Sequence, residues 1–499
     1  MKCNAADGLF TKSPPLVRGT PLPFKNFQEF INHLDKNREL VRITTEVSTD
    51  LEIAEITDRV SKEHGKALFF ENVKDSHFPV VTNAFGSLKR VEMAFGRSAD
   101  EIAKKIEQLI KTQVPEGIAG KIKLIPKLIE LAKTPPRTVT NAPCQEVVHT
   151  DPDLSIIPVL KCWPNDGGKF ITLPLVVTKS LEDSTRNMGM YRVQVYDKNT
   201  TGMHWHIHKD GAHHFFQYAE ANKRMEAAIA IGGDPATIYS ATAPLPPVID
   251  EFLLAGFLRE KAIEIVSCKT VNLEVPAESE FVIEGYLDPE ERRPEGPFGD
   301  HTGFYSPVDE YPVFHVTCIT HRKSAVYPTT IVGPPPMEDC YLAKMTERIF
   351  LPLMKMIVPE IVDMNLPMEG VFHNCAIVSI KKSYPMQAQK VMHALWGMGQ
   401  MMNTKIIIIM DADVDVQDLR KVSWKAFNNV DPKRDLTVSS GPLDALDHSS
   451  PYPLHGSKLG IDATRKIKGE TERPWPDEIV MSEEIVDLVN SKWKEYGIT

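Results

Sequence analysis

The run of one glycine and three prolines at positions 333–336 restricts the fold of this chain more than any other feature. Proline lacks a backbone N–H and has a fixed φ angle, so the run can lie neither inside a helix nor in a central strand. We therefore predict a linker here. The chain of 499 residues is long enough for about two to four domains.

The hydrophobic patterns differ on the two sides of this linker. Between about residues 138 and 332, short apolar or alternating runs are separated by turn residues, as in a β-rich barrel or sandwich. One helix, from Glu251 to Leu258, is predicted within this region. The flanking regions mix helical and strand periods. In them we predict a first helix capped by Asn26, a capping box of Ser98 and Glu101, an apolar strand at 405–410 and a last helix that starts near Ser482 and has one apolar side. We therefore predict an α/β (α+β) chain with a mobile N-terminal arm (1–24), an α/β domain (25–135), a β-barrel domain (136–332) and an α/β domain (333–499).

Charge and cysteine content exclude several protein classes. A formal net charge of -10 argues against a broad surface for nucleic acid or membrane, because such surfaces need clustered lysine and arginine. The seven cysteines are scattered and form no CxxC motif, which predicts reduced thiols and a cytoplasmic protein. No apolar run has the length of a membrane span, and we expect no signal peptide.

A first cluster with candidate chemistry is the sequence RNMGMYR at 186–192. The alternation after it predicts a strand from Met190 to Tyr196, with Arg192 and Gln194 on one face. A guanidinium group inside a barrel can bind two oxygens of a carboxylate or phosphate. A structural arginine in a salt bridge fits the pattern equally well.

A second cluster contains three histidines at alternating positions, His204, His206 and His208. At strand period these side chains share one face. Neutral imidazole is a common metal ligand, but no closed ligand motif surrounds the three. We predict that one of them binds a metal and that the others are surface or hydrogen-bonded core residues.

A third cluster is the loop PEGPFGDHTG at 294–303, in which Glu295 and Asp300 stand five positions apart. Prolines and glycines can hold such acids in irregular geometry beside a ligand. A carboxyl group near an apolar substrate and a second acid can have a raised pKa, which suits a proton donor. The alternative is a turn whose acids face water; the density of glycine and proline favours a functional loop.

These clusters, in this order, resemble the UbiD family of reversible decarboxylases over nearly the whole chain after the arm. NMGMYR and PEGPFGDHTG together carry the resemblance, supported by PVIDE at 247–251, PEIVD at 359–363 and GSKLGIDAT at 456–464. The resemblance implies a central flavin-reductase-like split β-barrel between two α/β domains. It also implies prenylated flavin mononucleotide (prenylated FMN) in the barrel, with Mn²⁺ and K⁺ anchoring its phosphate.

The resemblance assigns roles to individual residues. The implied metal ligands are Asn187, His208 and Glu251. The implied catalytic residues are Arg192, Glu295 and Asp300, of which Arg192 would orient the substrate carboxylate and Asp300 would deliver a proton. The implied cofactor contacts are Asn187, Met190, Tyr191, Arg192, His204, Trp205, His206, His208 and Lys209, with Lys209 a candidate for the flavin phosphate. Because Asn187 and Arg192 would face opposite sides of a straight strand, we expect a bend at Gly189.

Several functions agree with these residues. The leading hypothesis is decarboxylation of a 4-hydroxybenzoate-type acid, a polyprenylated quinone precursor. An aromatic carboxylase of anaerobic degradation, a non-catalytic scaffold subunit of a carboxylase complex and a metal hydrolase are the alternatives. The expected partners are the aromatic acid and CO2, a flavin prenyltransferase that supplies the cofactor, and further copies of the chain in a homodimer or homohexamer. A polyprenylated substrate would add peripheral contact with a membrane.

Overall fold

A computed structural model of the chain describes residues 24–110, 134–207, 209–245 and 249–498. The predicted arm therefore lies outside the described residues except for Phe24, which is buried in the N-terminal core. The predicted metal ligand His208 also lies outside them. All six cysteines in the described ranges are free thiols.

The N-terminal region follows its hydrophobic periodicity closely. Glu29 N donates to the side-chain oxygen of Asn26 at 3.0 Å, so Asn26 caps the first helix as predicted. The predicted capping box of Ser98 and Glu101 also forms, with both side chains accepting backbone N–H groups. The elements are α1 (Phe27–Lys36), β1 (Leu40–Ile43), α2 (Glu52–Lys62), β2 (Ala67–Phe70), β3 (Val80–Thr82), α3 (Leu88–Phe95) and α4 (Ala99–Ile110).

The central region is a curled antiparallel sheet. Its elements are β4 (Arg137–Val139), β5 (Val147–His149), β6 (Lys169–Ile171), β7 (Pro174–Lys179), β8 (Arg186–Gly189), β9 (Val193–Val195), β10 (Thr200–Met203), α5 (Asp210–Glu220), β11 (Met225–Gly232), α6 (Pro235–Ser240), α7 (Glu251–Arg259), β12 (Glu264–Ser267), β13 (Glu274–Pro276), β14 (Ser279–Glu295), β15 (Phe298–Gly299), β16 (Tyr305–Ser306), β17 (Asp309–His321) and β18 (Tyr327–Pro328). The main sheet has the order β6-β9-β10-β17-β14-β11-β7-β8, and β5 pairs with β17. Strand β18 instead joins β3 in the N-terminal sheet.

The strand order explains how the sheet curls. Strands β8 and β9 are consecutive in the chain, yet β8 ends the sheet on one side and β9 is second from the other side. Residues 190–192 must therefore cross the opening of the half-barrel. The predicted strand from Met190 to Tyr196 is wrong in its first half for this reason. The expected bend at Gly189 is present as the end of β8, because the chain leaves one side of the sheet there.

The predicted histidine strand is also wrong. Strand β10 ends at Met203, and the backbone then turns twice, with Trp205 N donating to Met203 O and Lys209 N donating to His206 O at 3.0 Å each. The predicted helix at Glu251 is present as α7, whereas α5 and α6 were not predicted. Helix α6 has only six residues, too few to produce a helical period.

The C-terminal region is a second α/β unit. Its elements are α8 (Glu338–Ile357), β19 (Ile361–Asn365), β20 (Cys375–Ile380), α9 (Gln387–Trp396), β21 (Ile406–Asp411), α10 (Leu419–Asn429), β22 (Leu436–Pro442), β23 (His455–Asp462) and α11 (Glu483–Lys492). The sheet order is β19-β20-β21-β23-β22, with β20, β21 and β23 parallel. The last helix forms as predicted, but none of its residues is buried. No helix in the described part of the chain has the length and hydropathy to cross a membrane.

Candidate active site

Arg192 lies where the chain crosses the half-barrel, and two carboxylates hold its guanidinium group. Its Nε donates to Glu295 Oε1 at 2.8 Å and its Nη2 donates to Glu295 Oε2 at 3.0 Å. Its Nη1 donates to Asp300 Oδ2, and Nη2 also donates to Ser306 Oγ at 2.9 Å. The Arg192 and Asp300 side chains are each 8% exposed and that of Glu295 is 0% exposed. The predicted catalytic residues therefore form one buried ionic cluster.

The loop between β14 and β17 places both acids on the same guanidinium group. Glu295 is the last residue of β14, and Gly296 follows with a φ of 94°, a conformation that favours glycine. Strands β15 and β16 pair as a short hairpin. Gly299 N donates to Asp166 Oδ1 at 2.8 Å, and Gly296 N donates to Gln194 Oε1 at 2.8 Å. These bonds fix the loop on the barrel, so the two acids are preorganised.

The pKa values of the two acids in this cluster are shifted in the direction opposite to that predicted from the sequence for a proton donor. Burial tends to raise the pKa of Glu295, but hydrogen bonds from His204 and Arg192 lower it to about 2. Burial also tends to raise the pKa of Asp300, but a hydrogen bond from His301 and the charge of Arg192 hold it far below its usual value. The expectation of a raised carboxyl pKa is therefore wrong, because both acids contact the same cation.

Two of the predicted histidines touch each other and the cluster. His204 Nδ1 lies 3.1 Å from Glu295 Oε2, and its Nε2 lies 2.7 Å from His206 Nε2. Burial lowers the pKa of His204, so the neutral ring donates through Nδ1 and accepts at Nε2. The aromatic ring of Tyr311 packs 4.3 Å from the His204 ring. His204 therefore orients Glu295, and a double turn rather than a strand brings His206 beside it.

Asn187 and Glu251 form a separate polar corner, in which Glu251 contacts the backbone of Met188 beside Asn187. Glu251 is the first residue of α7, and its Oε2 accepts a hydrogen bond from Met188 N at 2.9 Å. Asn187 immediately precedes Met188 on β8 and is 5% exposed. Burial raises the pKa of Glu251 to about 7, since hydrogen bonds from backbone N–H groups do not replace its hydration.

This corner fits a hard divalent cation. A buried carboxylate and an amide oxygen are oxygen donors that Mn²⁺ or Mg²⁺ accepts, and the cation would compensate the buried negative charge. The described residues contain no group of three or more histidine, cysteine, aspartate and glutamate side chains that could hold a metal. The described part of the corner therefore offers two oxygen donors, and the third predicted ligand, His208, lies outside the described residues.

The aromatic residues beside this corner leave a hydrogen-bond donor free. Among the described residues, the indole Nε1 of Trp205 is buried and has no hydrogen-bond partner. A Cβ atom at Gly211 would lie 2.7 Å from this nitrogen, and one at Gly189 would lie 2.2 Å from Tyr191 Oη. Both glycines are therefore required for close approach of the backbone to the rings. An unpartnered indole N–H fits a ligand with acceptor oxygens, such as a flavin nucleotide.

The remaining predicted cofactor contacts, Met190 and Lys209, lie on the crossing segment and at the start of α5. Met190 N donates to Ala241 O at 2.9 Å, which fixes the crossing segment. Lys209 precedes α5 as its N-cap residue, and burial lowers the pKa of its ammonium group. The described site residues thus include the ionic cluster around Arg192 and the corner of Asn187 and Glu251, beside which Tyr191 and Trp205 pack.

Sequence reasoning missed a second histidine pair. His301 Nδ1 lies 2.9 Å from Asp300 Oδ1, and His301 Nε2 lies 2.7 Å from His373 Nε2. His301 follows Asp300 within the PEGPFGDHTG loop, so its position could have indicated a role. His373 comes from the C-terminal α/β unit, 72 residues further along the chain, and no local pattern marks it.

Comparison with known proteins decides the family. Three domain families match this chain in sequence: the N-terminal domain of 3-octaprenyl-4-hydroxybenzoate carboxy-lyase over residues 31–110, its Rift-related domain over 137–335 and its C-terminal domain over 340–463. The chain belongs to the UbiD family. Its three-domain fold is therefore established, with a curled antiparallel half-barrel between two α/β domains, as predicted.

Relatives of known sequence or structure cover almost the whole chain. An uncharacterized protein of Archaeoglobus fulgidus is 48% identical over 95% of this chain and 99% of its own length. The closed form of vanillic acid decarboxylase from Sedimentibacter hydroxybenzoicus has a TM-score of 0.83 at 28% identity, covering 96% of this chain and all of that one. The UbiD-class enzyme HmfF from Pelotomaculum thermopropionicum, in complex with FMN, has a TM-score of 0.77 at 26% identity, covering 93% and 99%.

These relationships establish the enzyme class. This UbiD-family protein is a carboxy-lyase of the class that decarboxylates aromatic or unsaturated acids with prenylated FMN. The identity of its acid is a separate question, which the geometry of the site addresses.

Proposed function

We propose that this UbiD-family enzyme decarboxylates a 4-hydroxybenzoate-type acid whose carboxylate binds to Arg192. The observation that supports this most directly is the buried guanidinium group between Glu295 and Asp300. Such a cation binds a planar carboxylate with two hydrogen bonds and little reorganisation. A non-catalytic scaffold would have no need of this cluster.

The two acids differ in how firmly they hold Arg192. Glu295 contacts both Nε and Nη2 and is itself held by His204, so it is the fixed partner. Asp300 contacts only Nη1 through its Oδ2 atom. An incoming carboxylate would replace Asp300 at Nη1, since a single contact costs less to exchange than a bidentate one. Glu295 would then keep the guanidinium plane in place for the substrate.

This exchange gives Asp300 its proposed role. Once the charge of Arg192 is shared with the substrate, the pKa of Asp300 rises toward its ordinary value or above it, because the residue stays buried. A protonated Asp300 can then deliver its proton to the ring carbon that CO2 leaves. Prenylated FMN, when bound, would supply the electron sink for the bond that breaks.

The cofactor would be held mainly by the crossing segment and the double turn. We propose Met190, Tyr191, Trp205, His206 and Lys209 as contacts that join Arg192, Asn187, His204 and His208. Asn187, His208 and Glu251 would bind Mn²⁺ beside the flavin phosphate, and K⁺ would complete the anchoring of that phosphate. A flavin prenyltransferase would supply the cofactor.

The names of the related proteins support a ring with a 4-hydroxyl group and a 3-substituent. One domain family is named for 3-octaprenyl-4-hydroxybenzoate, and vanillic acid is also a 3-substituted 4-hydroxybenzoate. The buried Nδ1 of His373, which has no hydrogen-bond partner among the described residues, would suit a phenolic hydroxyl group. Within this class we propose the polyprenylated quinone precursor as the first substrate to test. Such a substrate would bring the cytoplasmic enzyme to a membrane surface.

The test is a substrate panel for enzyme co-expressed with a flavin prenyltransferase and Mn²⁺. The acids are 4-hydroxybenzoate, its 3-methoxy and 3-prenyl derivatives, and cinnamate as the acid without a ring hydroxyl. We expect CO2 release from the 4-hydroxybenzoates at least about tenfold faster than from cinnamate, since an unpaired buried polar group costs about 1–3 kcal/mol. Equal or faster turnover of cinnamate would contradict the proposed substrate class. A parallel reaction of phenols with bicarbonate measures the carboxylase direction.

We also propose that the chain forms a homodimer or homohexamer through its C-terminal domain. Large apolar side chains are exposed on this domain, including Phe427 on α10, Val438 on β22 and Ile479 before α11. Exposed apolar patches of this kind mark contacts between proteins. Light scattering should therefore give a multiple of the chain mass of 56.0 kDa. A monomer alone would contradict this proposal.

A further inference from the structure

The contacts of Asp300, the proposed proton donor, stabilise its deprotonated form. Asp300 accepts hydrogen bonds from Arg192 and from both the backbone N and the Nδ1 of His301. Every one of these contacts favours the carboxylate over the acid. A carboxylate in this setting carries no proton at neutral pH, so the proton that it delivers must be stored on a neighbouring group.

His301 is the neighbour with the required geometry. Its Nδ1 lies 2.9 Å from Asp300 Oδ1, within the range of a direct N–H···O transfer. Its other nitrogen, Nε2, lies 2.7 Å from His373 Nε2. A neutral His301 that donates through Nδ1 has a lone pair at Nε2, whereas an imidazolium donates at both nitrogens.

His373 is placed to accept from a charged His301. It lies on the segment before β20, where Val371 and Phe372 have φ angles of 42° and 50°. Bulky residues rarely adopt this conformation, and such backbone strain concentrates at functional sites. The ring of Phe372 stacks on His301 at 5.1 Å and 24°. The strained segment therefore fixes both the plane and the hydrogen-bond partner of His301.

We propose that His301 stores the proton that Asp300 delivers, and that His373 is a positioning residue that keeps His301 charged and turned toward Asp300. This inference rests on the proposed function of Asp300. The proton moves from His301 Nδ1 to Asp300 Oδ1 when the substrate carboxylate takes over Arg192. Asp300 then transfers it to the ring carbon, whose electron pair forms the new C–H bond. Water returns one proton per turnover to the His301–Asp300 pair, since the His301 side chain is 20% exposed.

The surrounding charges agree with this assignment. Burial tends to lower the pKa of His301, but its hydrogen bond to Asp300 and the negative charges around it raise that pKa above its ordinary value. Burial and the charge of His301 lower the pKa of His373, so this ring stays neutral and can accept. The titratable groups that act on the pair from the adjoining loops and from α8 are Asp300, Asp339, Asp444 and Lys209.

Kinetics of the His301→Asn variant provide the first test. The asparagine amide can still donate to Asp300 Oδ1, but it cannot release a proton. We expect kcat to fall about 10- to 100-fold with KM changed less than about threefold, since the carboxylate contact at Arg192 remains. In the wild type, kcat should decrease as pH rises through the raised pKa of His301, because the protonated ring is the active form. This alkaline limb should disappear in His301→Asn.

Variants of His373 separate positioning from simple loss of structure. His373→Leu removes the acceptor and should move the alkaline limb to lower pH, whereas His373→Gln retains an acceptor amide and should restore part of the wild-type profile. Nitrogen-15 NMR of histidine-labelled full-length protein, without substrate, should show His301 titrating above pH 6.5 in the wild type and lower in His373→Leu.

The outcomes distinguish this inference from the proposed function. A loaded wild-type enzyme that decarboxylates none of the acids would refute the proposed function, and the NMR titration would then decide whether His301 carries a proton. An active wild type whose kcat and alkaline limb survive in His301→Asn would refute only the proton store. A His301 ring that is neutral at pH 6.5 would also overturn it.

Discussion

The Arg192 cluster and the Asn187–Glu251 corner differ in how the protein compensates the negative charge of their carboxylates. Around Arg192, each carboxylate has a cation or a ring N–H within hydrogen-bond distance, so the protein itself completes the cluster. Around Glu251, burial raises the pKa of the carboxylate to about 7, and a backbone N–H is its closest support. In our proposal, the first centre therefore binds a substrate that exchanges, and the second binds a cation that stays.

This difference predicts different responses to substitution. A change in the Arg192 cluster should reduce catalysis while the cofactor stays bound. A change at the Asn187–Glu251 corner should release the metal and the flavin together. The predictions below test this contrast in order of decreasing effect.

The largest effect is expected for Arg192→Met. Loss of a charge-assisted contact costs about 1.5–3 kcal/mol, and misplacement of Asp300 costs about a further 100-fold, so kcat/KM should fall about 10³- to 10⁴-fold. Stability should fall by about 3–5 kcal/mol, because two buried carboxylates lose their cation. Steady-state kinetics and denaturant unfolding measure the two effects.

Arg259→Met is the matched control for this prediction. Arg259 also forms a buried ion pair, with Asp234 at 2.8 Å, but it lies outside the site. We expect a comparable loss of stability with unchanged kcat per folded molecule. If Arg192→Met kept more than a tenth of the wild-type kcat/KM, the carboxylate would bind elsewhere.

Asp300→Asn should lower kcat about 100-fold or more while retaining flavin, because an amide cannot deliver the proton. The flavin absorption spectrum and kcat of the same preparation provide the measurement. Asp309→Asn, at an exposed position at the start of β17, should behave like the wild type. Full activity of Asp300→Asn would transfer the donor role to Glu295.

Glu251→Ala and Asn187→Ala should each lose bound Mn²⁺ and flavin in parallel, as measured by metal analysis and cofactor mass. Either variant that kept both ligands would contradict the assignment of this corner. For Glu251→Gln the metal-free protein offers a second readout, in its stability at different pH values.

The sign of that pH effect follows from the raised pKa of Glu251. The folded state holds the proton more tightly than the unfolded state, so wild-type stability relative to Glu251→Gln should fall as pH rises from about 4.5 to about 7, by at most about 3 kcal/mol. Mn²⁺ should reverse this loss in the wild type alone. Glu280→Gln is the control, since burial also raises the pKa of Glu280 to about 7, and its hydrogen bonds are with Gln28 and Val326, not with this corner. If Mn²⁺ did not change the Tm of the wild type, the proposed contrast between the two centres would be wrong.

The smallest effect is expected for Ser306→Ala. Its hydroxyl accepts one of the five N–H groups of Arg192, and Glu295 and Asp300 continue to hold the guanidinium. We expect a change of about 2- to 10-fold in KM, corresponding to one hydrogen bond. A larger loss in kcat would mean that Ser306 aligns Arg192 as strongly as Glu295 does.

The sequence predicts the elements better than the turns between them. The helix capped by Asn26, the buried strand β21 and the helix at Glu251 follow from caps and hydrophobic period, which are local signals. The alternating histidines also look like a strand, but hydrogen bonds from Trp205 N and Lys209 N turn the chain there instead. The last helix has the predicted apolar side, but none of its residues is buried.

In the candidate site, too, local motifs could be predicted from the sequence, whereas contacts between distant residues could not. Arg192, Glu295 and Asp300 stand in two recognisable motifs, and the structure joins them in one cluster. The direction of the pKa shift at Asp300 could not be predicted, because it depends on the hydrogen bond from His301 and on the charge of Arg192, which is 108 residues away. His373 was missed for the same reason, since its contact with His301 joins two domains.

The central claim is that Arg192 binds the carboxylate of a 4-hydroxybenzoate-type acid in a cofactor-loaded enzyme. The most direct measurement is CO2 release from this acid by wild type and Arg192→Met, each loaded with prenylated FMN and Mn²⁺ to the same occupancy. The account predicts turnover by the wild type and a loss of about 10³-fold or more in the variant at equal flavin content. Turnover at a similar rate by both proteins would contradict it.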